Sequence, residues 1–547
     1  MHQAVRETLQ QIVCRYGREV LSDPRRCRAL LMDLCGEHRG EINILDMALR
    51  EHVVEELEAV SESLPRSLQI ARLAQRLSDA YYLPEPAARW AVETCAAALD
   101  GGGTEMHSRV FSSGLPATVL GRQWSGAELD EAVEPAWTVL GSTPGEVEVP
   151  GDLEVRISAR VDDDGAARLA KDLEPFGPLQ RLDLSYSPLS DAGVLHIAQI
   201  DGLLGLDLSR TRLTDVGLAS LSAHWPLLTL NLWGCDGITD AGLVAIGSLT
   251  RLRRLELGLC DRVGDAGLLA LESLVLLTHL GLAGTQVSDP GLSWLSGLKV
   301  LKRLALDDTS VSGDCLETIT GLPELKTLTL HGCVRLRPVG LASLRAAPQL
   351  ASLDLGACGL LADPALVHLR PLCGLTELGL AHLAISDAGT LYLLTLTALS
   401  RLDVSWTHIG DAGLVRLAAL RGLTELRLAG TAVGGAALGR LAALPGLVRL
   451  DLSRTPIGDT DLRALGALAG LEVLDLEGTA IGDGGLVHLE ELPALRSVYL
   501  GDTGITNAGL ELLRQKSSVE AVDLAQCDGV SEVGIRALEE SGVSVTR

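Results

Sequence analysis

The chain has 547 residues, too many for one compact core, yet 47% are hydrophobic and only 3% aromatic. That balance asks for an aliphatic core divided into many small, equal slots. With 46 Lys+Arg against 71 Asp+Glu, the net charge of −25 excludes a phosphate-seeking, nucleic-acid-binding protein. A membrane span needs about 20 largely apolar residues, and the longest charge-free stretch, between Glu272 and Asp289, is broken by Ser, Thr, His, Gly and Gln. MHQAVRETLQQIV at the N-terminus has no basic region followed by an apolar block and reads as no secretory signal. Eleven Cys, an odd number without CxxC, read as reduced thiols of a cytoplasmic protein.

Residues 1–100 predict a small all-α domain. Val5, Leu9, Ile12, Val13 and Tyr16 recur at helical spacing. Asp23-Pro24 reads as an N-cap followed by Pro at the first helical position, with Leu30, Leu31 and Leu34 on one face. Amphipathic stretches follow near 40–58, 65–81 and 86–99, the last containing Trp90, and Gly101-Gly102-Gly103 marks a boundary. YGREVLSDPRRCRALLMDLCGEHRGEINIL and PEPAARWAVETCAAAL resemble a small helical module attached to varied bacterial signalling and repeat proteins. That resemblance implies a docking adaptor.

Residues 101–150 read as linker and N-terminal cap. The stretch through Leu120 predicts a linker, and WSGAELDEAVEPAWTVLG a short helix flanked by Trp124 and Trp137. EVEVP and LEVRIS then predict strands that cover the first repeat, because an open solenoid end exposes both apolar core and strand edge.

From 151 to 547 one unit recurs. L-x-L opens at Leu182, Leu206, Leu230, Leu255, Leu280, Leu304, Leu328, Leu353, Leu378, Leu402, Leu426, Leu450 and Leu474, and Val498 and Val522 open two further copies. That makes fifteen copies of 24 or 25 residues, with a weaker one at Val155-Arg-Ile157 and a closing one at Val543-Ser-Val545. L-x-L alternates as a strand does, whereas D-A-G-L-x-x-L carries apolar residues three apart, as a short helix does. Asp191, Asp215, Asp240, Asp265, Asp289, Asp387, Asp411 and Asp483 stand before that helical turn, where a carboxylate is expected to cap free N–H groups. Pro338, Gly313 and Gly435 replace it in three copies, predicting locally irregular turns. Three residues past the second Leu stands Thr (as in Thr309 or Thr407) or Cys (Cys235, Cys260, Cys333, Cys358, Cys527), and Cys travels with one extra residue in the next turn.

These repeats resemble the leucine-rich repeat superfamily, within it the cysteine-containing subclass of F-box-type adaptors and related bacterial proteins. The resemblance implies an α/β fold: a curved solenoid with a parallel β-sheet on its concave face, short helices on the convex face, and binding by the concave face.

Candidate chemistry is sparse. The same-slot cysteines are spread too far along the sheet for the four close ligands of zinc and read as small core residues. VDDDG at 161–165 lacks a full calcium ligand set; Asp164 falls where a helix cap belongs. No HExxH, Ser/His/Asp motif or GxxxxGK is present. No cofactor, metal or catalytic residue is expected. On the strand face, Arg401–Glu425–Arg449 and Asp403–Arg427–Asp451 alternate in sign, a checkerboard that can pair with itself. Two patches escape this cancellation. One is Asp475, Glu477, Tyr499, Asp502 and Asp523, with little basic relief. The other sets aromatics and acids together: Tyr186, Trp233, His279, Asp307, Asp308 and His331, with His382 and Trp406 beyond, His279 and His331 on exposed strand positions. Exposed aromatics are favoured partner anchors.

The expected protein is therefore a cytoplasmic, bacterial, non-enzymatic scaffold that binds a protein or peptide, basic in character, and neither nucleic acid nor membrane. Two other readings remain: a ubiquitin-ligase substrate adaptor or host-directed effector, for which LPRSLQIARLAQRL at 64–77 is the F-box-like match, and an enzyme or enzyme regulator using acids such as Asp307 or Asp475.

Overall fold

A computed structural model describes residues 153–173, 181–200, 202–221 and 226–546, preceded by 23–35, 38–50, 53–58, 85–101, 109–123, 138–149 and shorter pieces. The chain divides into two compact units, Met1–Leu230 and Asn231–Arg547.

In the first unit, helices Pro24–Cys35, Arg39–Arg50, Val53–Glu58 and Glu85–Gly101 share an aliphatic core with Val5, Leu9, Ile12, Val13, Leu30, Leu31, Leu45 and Val92, and Trp90 packs against it half-buried. Asp23 caps the first of these helices, its carboxylate accepting from the Arg26 N–H at 3.1 Å. Tyr16, the 124–137 stretch and most of 64–77 lie outside the described residues.

The expected linker is instead a strand. Arg109–Gln123 pairs antiparallel with Thr138–Val149, and its second half pairs antiparallel with Leu153–Ala159. Gly114 and Pro116 make the sequence read as a break, but Pro116 falls inside the register shift between Ser113 and Ala117, where a missing N–H donor does no harm. Leu153–Ala159 then pairs parallel with Arg181–Asp183, which pairs parallel with Gly205–Asp207. The hairpin thus takes up the edge of the parallel ladder.

In the second unit, strands of three residues pair parallel and in sequence order from Arg254–Glu256 to Ser544–Thr546. Leucines meet leucines as far as Leu474, with Leu378, Leu402, Leu426, Leu450 and Leu474 register partners in turn and all buried, and Val498, Val522 and Val545 continue the row. The connections are α-helical in some copies (Asp411–Leu417) and 3₁₀ in others; Asp289–Gly297, Pro338–Ala346 and Asp363–Leu369, whose first turns hold Pro290, Pro338 and Pro364, are 3₁₀. Both terminal copies sit two residues away from the expected register, Ile157 rather than Val155 facing Leu182 and Val545 rather than Val543 facing Val522. A two-residue slip keeps the same side chains inward, so the hydrophobic pattern alone does not distinguish the registers.

The capping aspartates do not serve the expected turn. Within each unit they reach forward to the following repeat: Asp163 accepts from the Ser190 and Gly193 N–H groups, Asp191 from Thr214, Asp265 from Ser288, Asp387 from Gly410 and Gly413, and Asp483 from Thr506. Burial alone would raise the Asp163 and Asp289 carboxyls, but the hydrogen bonds from Ser190 and Gly193 to Asp163, and from Ser312 and Cys315 to Asp289, outweigh it and hold both below the usual range. Within VDDDG, Asp162 caps its own helix through Gly165 and Asp163 reaches onward, so Asp164 is not the capping residue. The Gly of D-A-G is the matching half of the device. A Cβ at Gly193, Gly291, Gly389 or Gly509 would run into the aspartate of the preceding copy. Where Gly435 replaces the aspartate, the next copy supplies its own cap, the Gly458 N–H donating to Asp461 at 2.9 Å.

Candidate functional site

A turn shared by every copy shapes the face of the sheet. The fourth residue after the first Leu has positive φ in all fifteen copies: Gly234, Gly284, Gly332, Gly430 and Gly478, and ten others including Tyr186, Asp308, His382, Trp406, Arg454 and Asp502. Its N–H extends the ladder beyond the strand, as His382 to Ser405, Trp406 to Ala429, Gly430 to Ser453 and Arg454 to Glu477. The acidic residue inside L-x-L holds this turn: Asp403, Asp451, Asp475 and Asp523 each accept from the N–H two residues on, at 2.9–3.0 Å. The acidic row is thus first a row of turn caps.

Thr and Cys close the same turn differently. Thr309, Thr407 and Thr431 donate to a carbonyl in their own copy. Cys260, Cys333, Cys358 and Cys527 donate across to the preceding copy. After Cys, its carbonyl accepts from the residue three on, as Val263 on Cys260 and Leu361 on Cys358, and this turn accommodates the inserted residue. Burial pushes the Cys260 and Cys358 thiols up to about 12, which makes them inert packing groups.

The face opens into a groove of about 620 Å³ in the second unit. Its walls bring together His331, His382, Trp406, Asp475 and Tyr499, residues the sequence assigned to two separate patches. The checkerboard lies in the same groove: Asp403, Arg427 and Asp451 are successive register partners, as are Glu425 and Arg449. Part of it pairs internally, Arg427 with Glu425 at 2.6 Å and Asp403 at 3.8 Å, and Arg401 with Glu377. Ala381, Ser405, Ala429 and Ser453, all at the third position after the first Leu, supply small side chains to the lining. The recurring small residue at that position is the sequence signal for the hollow.

Aromatic and acidic groups divide within it. The His382 and Trp406 rings stack with centroids 5.8 Å apart and planes 6° from parallel. Asp475 lies between Asp451 and Tyr499 in register. Burial, reinforced by the charges of Asp451, Glu477 and Asp523, pushes its carboxyl up to about 6 although the Glu477 N–H opposes the shift. Glu477 is not short of basic relief: Arg454 pairs with it at 2.7 Å.

The remaining candidates sit elsewhere. Tyr186 belongs to the first unit, with the Arg160 guanidinium 5.6 Å from its ring centroid. His279 is buried, not exposed, with its Nδ1 2.9 Å from the Thr278 hydroxyl, and Trp233 lies half-buried against Gly258. Asp307 accepts from the His331 N–H and the Thr329 hydroxyl; Asp308 and Asp502 are exposed turn residues, and Asp523 accepts from Thr546 at 2.7 Å. None of these lines the groove.

Residues 226–247, 248–271, 395–418 and 446–466 match the family described as Leucine Rich repeat. The fold is that of a leucine-rich-repeat solenoid, and these four stretches carry the family's repeat. Among solved structures, the chain is similar to an internalin of Listeria monocytogenes str. 4b F2365 (22% identity, 65% of this chain and 89% of that one, TM-score 0.41). It is similar also to an LRR protein of Leptospira interrogans (18%, 69% and 92%, TM-score 0.45) and to a TDR receptor (16%, 71% and 66%, TM-score 0.40). No curated protein matches it. No helix among the described residues is long and apolar enough to cross a membrane.

Proposed function

We propose that this chain is a non-enzymatic scaffold of the bacterial cytoplasm that seats an extended polypeptide on the strand face of its repeats, with the helices of residues 1–100 docking a second component. Leucine-rich repeats generally serve protein–protein interaction. The observation that carries the reading here is the open groove. It joins exposed aromatics, Trp406 and Tyr499 at 47% and 43% exposure, to charged side chains of both signs on a regular ladder. Such a surface suits an extended chain, whose side chains meet register partners about 4.8 Å apart. The net charge of −25 favours a basic partner and speeds its approach.

Affinity capture from a lysate of the source organism, with the full chain and its Trp406→Gly, Tyr499→Ala double variant, tests this. The unaltered chain should hold proteins, less firmly as salt rises, and the variant should lose them. Retention equal in both, or a small molecule or activity co-purifying in place of a protein, would sink the scaffold reading.

A further inference from the structure

The positive-φ row of the groove contains a gap. Reading along the ladder, its side chains are His382, Trp406, none at Gly430, Arg454 and none at Gly478. Each lies toward the following copy: His382 is stacked with Trp406, a Cβ at Gly430 would meet the Trp406 ring, and one at Gly478 would meet the Arg454 side chain. The indole thus lies beside the place a Gly430 side chain would fill, while the Arg454 side chain lies toward Gly478 and pairs there with Glu477. Two ladder steps of about 4.8 Å separate positions 406 and 454, which leaves room for one planar group between an indole face and a guanidinium. Trp406, Ala429, Ser453 and Arg454 all line the groove, and the turn positions between the two walls hold only Ala429, Gly430 and Ser453, with Arg427 on the strand beneath them.

Resting on the scaffold reading, we propose that this gap is a socket for one aromatic side chain of the partner polypeptide, stacked on Trp406 with the Arg454 cation against its other face. The chemistry of the two walls selects this occupant. An indole face rewards a parallel, offset ring, and a guanidinium is drawn to the negative face of such a ring. An arginine or lysine would instead bring a like charge against Arg454. An aliphatic side chain would fill the space without either interaction.

Gly occupies the equivalent turn in five copies, so Trp406→Gly and Arg454→Gly leave a backbone the fold already uses, and Leu259→Gly alters the same turn outside the groove. The probes are short capped peptides of serine and lysine with tyrosine, leucine or arginine at the centre, their affinities for the full chain read by fluorescence anisotropy. The tyrosine peptide should bind about two- to tenfold tighter than the leucine peptide. Trp406→Gly should erase that preference, Arg454→Gly should reduce it about two- to fivefold, and Leu259→Gly should leave it unchanged. The seven Trp indole N–H resonances, assigned by the loss of one in Trp406→Gly, should show Trp406 shifted by the tyrosine ring. A tightest arginine peptide, or a tyrosine preference that survives Trp406→Gly, overturns the socket while leaving the scaffold reading in place. Failure of all three peptides to bind also overturns it, and the scaffold reading then stands or falls on the capture experiment alone.

Discussion

At Ala357 the backbone holds φ at 54°, the conformation that five other copies give to Gly. For an L residue this region costs about 1–2 kcal/mol, of which the greater freedom of Gly in the unfolded chain takes back about 0.5–1. Ala357→Gly should therefore stabilise the protein by about 0.5–1 kcal/mol in denaturant unfolding, and an equal loss would show that the turn is relaxed. Trp406 and His382 carry the same strain at φ 56° and 58°, which is consistent with side chains kept for what they contact in the groove. Asp475 is the other costly residue. Its carboxyl is raised from 3.8 to about 6, so between those values the folded state holds a proton that the unfolded state has released, and stability falls as pH rises across the window. Asp475→Asn should raise the denaturation midpoint at pH 7 and lose that advantage near pH 4. A gain independent of pH would assign the effect to packing.

The helical elements are short and bury few apolar side chains each, as Asp411–Leu417 does with Leu414 and Leu417, and a carboxylate from the preceding copy joins their ends. Asp363 accepts from both the N–H and the hydroxyl of Ser386, and a Cβ at Gly389 would strike the same carboxylate. Asp363→Ala should cost about 1–2 kcal/mol by orphaning those donors, and Gly389→Ala about 1–3 by overpacking. Since both act at one point, the double variant should be less destabilised than the sum by about 1 kcal/mol. Strict additivity would separate the two halves of the device. The sequence displays Asp and Gly at a fixed spacing but not the direction of the bond. A carboxylate before a helix reads locally as that helix's own cap, and only stacking shows that the N–H groups it reaches belong to the next copy.

For the whole molecule, periodicity made most of the fold legible: the Leu ladder, the short connectors, the buried Thr and Cys slot and the helical core around Leu30, Leu45 and Val92. Less was visible wherever neighbours in space, not in sequence, decide. The Arg109–Gln123 strand was hidden because Gly114 and Pro116 punctuate it. The burial of His279 cannot be inferred from a slot that is exposed at Arg401 and Arg449. The candidate site was half legible. Its aromatics and Asp475 stand out as unusual residues at strand-face positions, whereas the Arg and Asp checkerboard looked self-cancelling although it lines the same groove. A competing surface exists on the helical side, where Val367, Leu391 and Val415 stand exposed in successive copies. The measurement that separates the two is hydroxyl-radical footprinting of the chain alone and in complex with its captured partner. Oxidation of Trp406, His382 and Tyr499 should fall on binding while that of Leu391 and Val415 stays unchanged. Protection of Leu391 and Val415 with Trp406 and Tyr499 still reactive would contradict binding in the groove.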